Sequence, residues 1–104
     1  MKINQMQAEV DGWINKHKCS YWGHHEIFAR LVEETGELAR EINHEHGPKQ
    51  KKTTEQEKGI EEELGDILFT LICIANKEGI DLKSSFEKAM AKCYERDKER
   101  YEKK

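Results

Sequence analysis

A chain of 104 residues has room for one domain, since hydrophobic cores usually serve about 100–150 residues. Charged residues make up 38% and hydrophobic residues 36%, so any core built from this stock is thin. The net charge of −3 argues against a nucleic-acid partner, and the longest nearly apolar run, Ile67 to Ala75, is too short for a bilayer.

The polar N-terminus gives no sign of a signal peptide. Three cysteines, Cys19, Cys73 and Cys93, form no CxxC pair, and an odd count makes a poor disulfide framework. Cys73 and Cys93 fall among apolar positions and read as small buried hydrophobes, which fits a reducing, cytoplasmic setting.

The first helical segment is expected over 2–18, where Met6, Val10, Trp13 and Ile14 share a stripe that reads as core. A break follows from Cys19 to Gly23. The second segment is expected over 24–46, with Ile27, Leu31, Leu38 and Ile42 inside an arc of about 60° at about 100° per residue. Gly47 and Pro48 then open a lysine-rich polar loop over about 47–54. The third segment, 55–78, carries the stripe Ile60, Leu64, Ile67, Leu71, Ile74 and Ala75. Gly79 reads as its C-cap, and Asp81 or Ser84 as the N-cap of a last segment over 83–102. No segment alternates like a half-buried strand. The expected fold is therefore all-α: one domain over 1–104, an antiparallel bundle of about four helices, completed by oligomerisation because a dimer or tetramer buries stripes that one chain leaves wet.

Two carboxylate pairs stand out, Glu34 with Glu37 and Glu63 with Asp66, each at i,i+3 on a helical segment. Glu34 and Glu37 project on one flank of the apolar stripe, and Glu63 and Asp66 repeat the arrangement. Glu33 and Glu62 point away. None of the four has a lysine or arginine four residues on, where Leu38, Glu41, Ile67 and Thr70 stand. Packed together, the two segments converge four acids that raise one another's pKa unless a cation sits among them. Oxygen-only ligands of this kind suit Mg²⁺, with Mn²⁺ as a substitute, and Mg²⁺ sites commonly also hold a substrate's phosphates.

Glu33-Glu34-Thr35-Gly36-Glu37-Leu38 and Glu62-Glu63-Leu64-Gly65-Asp66-Ile67-Leu68-Phe69 together resemble the signature of MazG-type nucleotide pyrophosphohydrolases, an ExxE and an ExxD on consecutive helices. The likeness runs from the first helix to Arg96-Asp97 and is nearest to the small single-domain members. It implies an all-α homodimer or homotetramer that hydrolyses nucleoside triphosphates to monophosphate and pyrophosphate. It also implies that Glu34, Glu37, Glu63 and Asp66 hold Mg²⁺.

On the last segment Lys92, Arg96 and Arg100 form a basic ridge, and the resemblance favours Lys92 and Arg96 as phosphate contacts. Asp97 projects into the apolar stripe beside them. Asn76 matches an asparagine that small members place after the ExxD, although it does not share the flank of Glu63. Trp22, beside His24 and His25, is the candidate for stacking on a base. The lysines at 49–52 read as a solvated loop. Glu41 and His44 form a single ExxH, and without a second one a di-iron site is not expected, so His44 and His46 read as C-terminal dipole partners. The rival readings are a phosphoribosyl-nucleotide pyrophosphohydrolase using the same acids, and a helical interaction module whose acids are only solvated.

Overall fold

The computed structural model describes residues 1–48, 59–96 and 99–100. It contains four helices in order: α1 (Ile3–Ile14), α2 (His24–His46), α3 (Ile60–Glu78) and α4 (Leu82–Arg96), with no strand among the described residues. The all-α bundle expected from periodicity is present. None of the helices is long and apolar enough to cross a membrane.

Local chemistry sets the helix ends. The Gly23 N–H donates to Glu26 Oε1 at 3.2 Å, which satisfies one donor at the start of α2. At the end of α3, Gly79 takes the left-handed conformation with φ of 67°. Its N–H bonds Asn76 O at 3.2 Å while Ile80 N–H bonds Ala75 O at 2.8 Å, a Schellman closure. A side chain at position 79 would be strained, so glycine is required there. Asp81, not Ser84, caps α4: its Oδ1 accepts from Lys83 N–H at 3.2 Å.

Three boundaries differ from expectation. α1 stops at Ile14 rather than 18, because the apolar spacing ends there and the chain tightens into i−3 bonds, Lys16 N–H to Trp13 O and His17 N–H to Ile14 O. α4 runs to Arg96 and residues 99–100 form a turn, so the helix stops short of the expected 102; 97–98 and 101–104, Asp97 among them, lie outside the described residues. α3 begins at Ile60 instead of running unbroken from 55, because Gly59 is extended and serves as its N-cap; residues 55–58 and the lysines at 49–52 lie outside the described residues.

α2 and α3 pack as an antiparallel hairpin, α1 lies on α3, and α4 packs on α1. A hydrogen bond between His24 Nε2 and Glu78 Oε1 ties the start of α2 to the end of α3. Among the described residues the buried hydrophobic ones are few: Ile27, Ile72, Cys73 and Ala75. Within the predicted stripe of α3, Leu64 and Leu71 are exposed, and on α2 Ile42 is too. The helices carry apolar residues on more than one side, and the side facing α1 and α2 centres on Glu63, Thr70 and Cys73 instead. Cys93, expected to be buried, is exposed, because the described residues do not cover the side of α4 that bears it. No cysteine is paired.

Candidate active site

Glu34 and Glu63 are the most deeply buried large side chains, at 2% and 1% exposure. Glu33, Glu61 and Glu62 stay exposed, so the helix surface separates the acids as their projections predict. Carboxylate oxygens of Glu34, Glu37 and Glu63 lie within 4.8 Å of one another. Asp66, half-buried one turn beyond Glu63, stands outside this tight group but close enough for its charge to act on Glu34.

Burial raises the Glu34 carboxyl above its usual range, and the neighbouring Glu63, Glu37 and Asp66 push the same way. Arg30 opposes them. Its Nε donates to Glu34 Oε1 at 2.7 Å from the preceding turn of α2. The other oxygen, Oε2, is buried with no hydrogen-bond partner among the described residues. A buried carboxylate oxygen facing further carboxylates is costly unless a cation shares it. The donor set, oxygen only and acidic, fits a hard divalent cation held by Glu34, Glu37 and Glu63.

The spacing pattern of the sequence misses Arg30, because it places a counter-charge four positions after each acid whereas Arg30 lies four before Glu34. Glu41 is buried as well, and its Oε2 lies 3.8 Å from His44 Nδ1. His44 thus turns inward rather than capping the helix end, and this pair does not join the three-carboxylate group.

Beside the acids opens a cavity of about 310 Å³, and Arg30 and Asp66 are part of its wall. The remaining wall is largely aromatic, with Trp13 and Phe69 edge to face at 6.2 Å, and Tyr21 and Trp22 from the α1–α2 connection. Trp22 is 54% exposed and Trp13 53%, so Trp13 faces this cavity rather than a core. Its ring leans on His17 at 4.7 Å. The stripe it shares with Val10 and Ile14 concealed this, because periodicity shows that a face is apolar but not what fills it.

Asn76 lies behind the cavity, and its amide bonds residues of its own chain: Nδ2 donates to Gln7 O and to Tyr21 Oη, both at 2.9 Å. Lys92 and Arg96 are exposed on α4, away from the walls of the cavity. Among the described residues α4 packs chiefly on α1, and the ridge does not line the cavity beside the carboxylates.

Residues 22–101 match the family model of the MazG nucleotide pyrophosphohydrolase domain. YpjD of Bacillus subtilis (strain 168), an uncharacterised protein, is 47% identical over 102 residues, covering 98% of this chain and 92% of its own. The crystal structure of YPJD from Bacillus subtilis, named as a candidate pyrophosphatase, superposes with a TM-score of 0.79 over 88% of this chain and 94% of that one. A second, a Bacillus-conserved MazG protein described as a nucleotide pyrophosphohydrolase, has a TM-score of 0.76 and 44% identity, covering 88% of each chain. With its two carboxylate motifs inside the matched span and the same helical fold, the chain belongs to the MazG nucleotide pyrophosphohydrolase family.

Proposed function

We propose that this protein hydrolyses nucleoside triphosphates to the monophosphate and pyrophosphate, with Mg²⁺ as its cofactor and Mn²⁺ as a substitute, in a homodimer or homotetramer. The observation that carries the reading is the convergence of Glu34, Glu37 and Glu63 beside an aromatic cavity whose wall includes Asp66. Triphosphate and base then have adjoining places: acids with their cation for the phosphates, aromatic faces for the base.

Bound among these carboxylates, the cation supplies charge neutralisation and Lewis acidity for an otherwise repelled triphosphate. Asp66, at the junction of cluster and cavity, completes the ligand set. Arg30, half-exposed on the cavity wall, offers a cation to the phosphate chain. In the reaction a water oxygen bonds to the α-phosphorus, the bond from that phosphorus to the bridging oxygen breaks, and pyrophosphate leaves with that oxygen. The proton from water passes to a carboxylate of the cluster. Trp22, with Trp13 and Phe69, provides the stacking faces for the base. Lys92 and Arg96 serve the phosphates from a neighbouring subunit, since neither lines the cavity beside the carboxylates of its own chain.

Incubation with a panel of nucleoside triphosphates and Mg²⁺, assayed for pyrophosphate, tests the reading. Glu34→Gln and Asp66→Asn should each cost at least about a hundredfold in kcat, while Glu33→Gln and Glu62→Gln keep most of it. No turnover with any triphosphate, together with no Mg²⁺-dependent rise in Tm, would leave a non-catalytic helical module.

A further inference from the structure

The connection between α1 and α2, residues 15–23, has no regular structure, yet it contributes His17, Cys19, Ser20, Tyr21 and Trp22 to the cavity. A loop of this kind keeps a cavity's shape only if something fastens it. The fastening is a directed chain of hydrogen bonds. Leu82 N–H donates to Gln7 Oε1 at 3.0 Å, and Gln7 Nε2 donates to Ile80 O at 2.8 Å and to Asn76 Oδ1 at 3.0 Å. Asn76 Nδ2 donates to Gln7 O and to Tyr21 Oη, and the Tyr21 hydroxyl donates its single proton in a hydrogen bond to Asp11 Oδ1 at 2.7 Å.

The order of donors leaves no freedom at Tyr21. A phenol has one proton, and because Asn76 fills an acceptor site on the oxygen, that proton goes to Asp11. Both protons of the Asn76 amide and its oxygen are committed as well, so Asn76 has no donor left for a nucleotide. Burial and the hydrogen bond to Asp11 lift the Tyr21 hydroxyl to about 12, which keeps it a donor across the physiological range. The chain thus joins α1, α3 and the start of α4 to one residue of the connection.

We propose that Tyr21 and Asn76 are positioning residues that lock the 15–23 connection over the cavity and thereby set how tightly the nucleotide is held, without acting in bond cleavage. The inference rests on the proposed pyrophosphohydrolase reading for the identity of the ligand. It assigns Asn76 to the scaffold of the cavity rather than to substrate contact.

The test uses Tyr21→Phe, which removes the hydroxyl and keeps the ring, with Asn76→Ala as the second variant. Loss of the two hydrogen bonds of the hydroxyl should raise KM about three- to tenfold in Tyr21→Phe and leave kcat within about twofold. A purely structural lesion does the reverse, lowering apparent kcat through less folded protein and leaving KM in place. Amide exchange in the nucleotide-free protein should quicken across 15–23 in both variants, with the middle of α2 and α3 unchanged. An unchanged KM in an active Tyr21→Phe enzyme, or unchanged exchange over 15–23, overturns the inference alone. A wild-type protein inactive on every triphosphate overturns the underlying reading and the claim on nucleotide binding with it.

Discussion

Glu34 concentrates the conflict on which the site depends. It is almost completely buried, faces other acids, and has Arg30 as its cationic neighbour. Its folded pKa lies above the 4.5 of an ordinary glutamate, so the fold favours its neutral form. The stability this contributes is fully present below about 4.5 and is lost as pH rises through the folded value. In chelator, Glu34→Gln should therefore melt higher than wild type near neutral pH, and the gap should close as pH falls towards 4.5. Thermal melts over a pH series read this directly. Mg²⁺ should invert the order: at a hundred times its Kd it adds about 2.7 kcal/mol to the wild type and far less to the variant. A variant that melts lower than wild type in chelator at neutral pH would show that the Arg30 pair outweighs the repulsion. Tyr21 titrates in the opposite pH range. Its folded value of about 12 exceeds the usual 10.0, so its contribution holds below about 10 and fades as pH climbs through 12. Wild type should accordingly be more stable than Tyr21→Phe by about 1 kcal/mol at pH 8, and by much less near pH 12.

Each carboxylate pair encloses a helix-interior glycine, Gly36 before Glu37 and Gly65 before Asp66. A Cβ at either position would meet nothing within 4 Å. Glycine there costs α2 and α3 conformational entropy with no return inside one chain. Gly36→Ala and Gly65→Ala should each add about 0.5–1 kcal/mol, or about 2–8 °C in Tm for a domain of this size. A fall in Tm instead would mean that the space beside these glycines is filled by a neighbouring subunit. What the sequence discloses at this scale follows the same division between local and tertiary causes. The bounds of α2 and the end of α3 are legible because Gly23, Gly47 and Gly79 punctuate the chain by backbone chemistry alone. The burial of Glu34 and Glu63 is legible because they lie beside apolar stripes at i,i+3 from Glu37 and Asp66. The exposure of Leu64 and Leu71 is not, since a helix with two apolar sides reads the same whichever one its own chain covers. The Gln7–Asn76–Tyr21–Asp11 chain was equally out of reach. Its partners lie up to 69 positions apart, and nothing in their spacing announces them.

The whole molecule is short of core. Its Cα radius of gyration is 17.3 Å, against about 13 Å for a compact chain of 100 residues. The apolar residues missing from the core are on the outside in ordered rows. Phe28, Val32 and Ile42 fall within about 80° on α2, and Leu64, Leu68 and Leu71 within about 60° on α3, all exposed. A groove between α1 and α4, lined by Ile3, Phe86, Met90 and Tyr94, adds a further apolar surface. Scattered exposed hydrophobics need no explanation, but ordered rows on the hairpin that carries the carboxylates offer a surface for contact. A second copy is the simplest cover, and a stable contact of about 1,200–2,000 Å² would draw on both rows. Val32→Glu and Leu68→Glu discriminate. On a free surface each changes stability by no more than about 0.5 kcal/mol. Within a subunit interface each buries an unpaired charge, so the assembly should split and Tm should fall and become strongly dependent on protein concentration. Light scattering coupled to size exclusion gives the readout: a wild-type mass that is a multiple of 12.2 kDa, and a single chain's mass for the variants. If Lys92 and Arg96 reach the phosphates across that interface, the dissociated variants should keep Mg²⁺ binding at Glu34, Glu37 and Glu63 while losing affinity for the triphosphate. A wild type that runs as a monomer at all concentrations would remove both the interface and the role of the basic ridge, and leave Arg30 as the cation on the cavity wall.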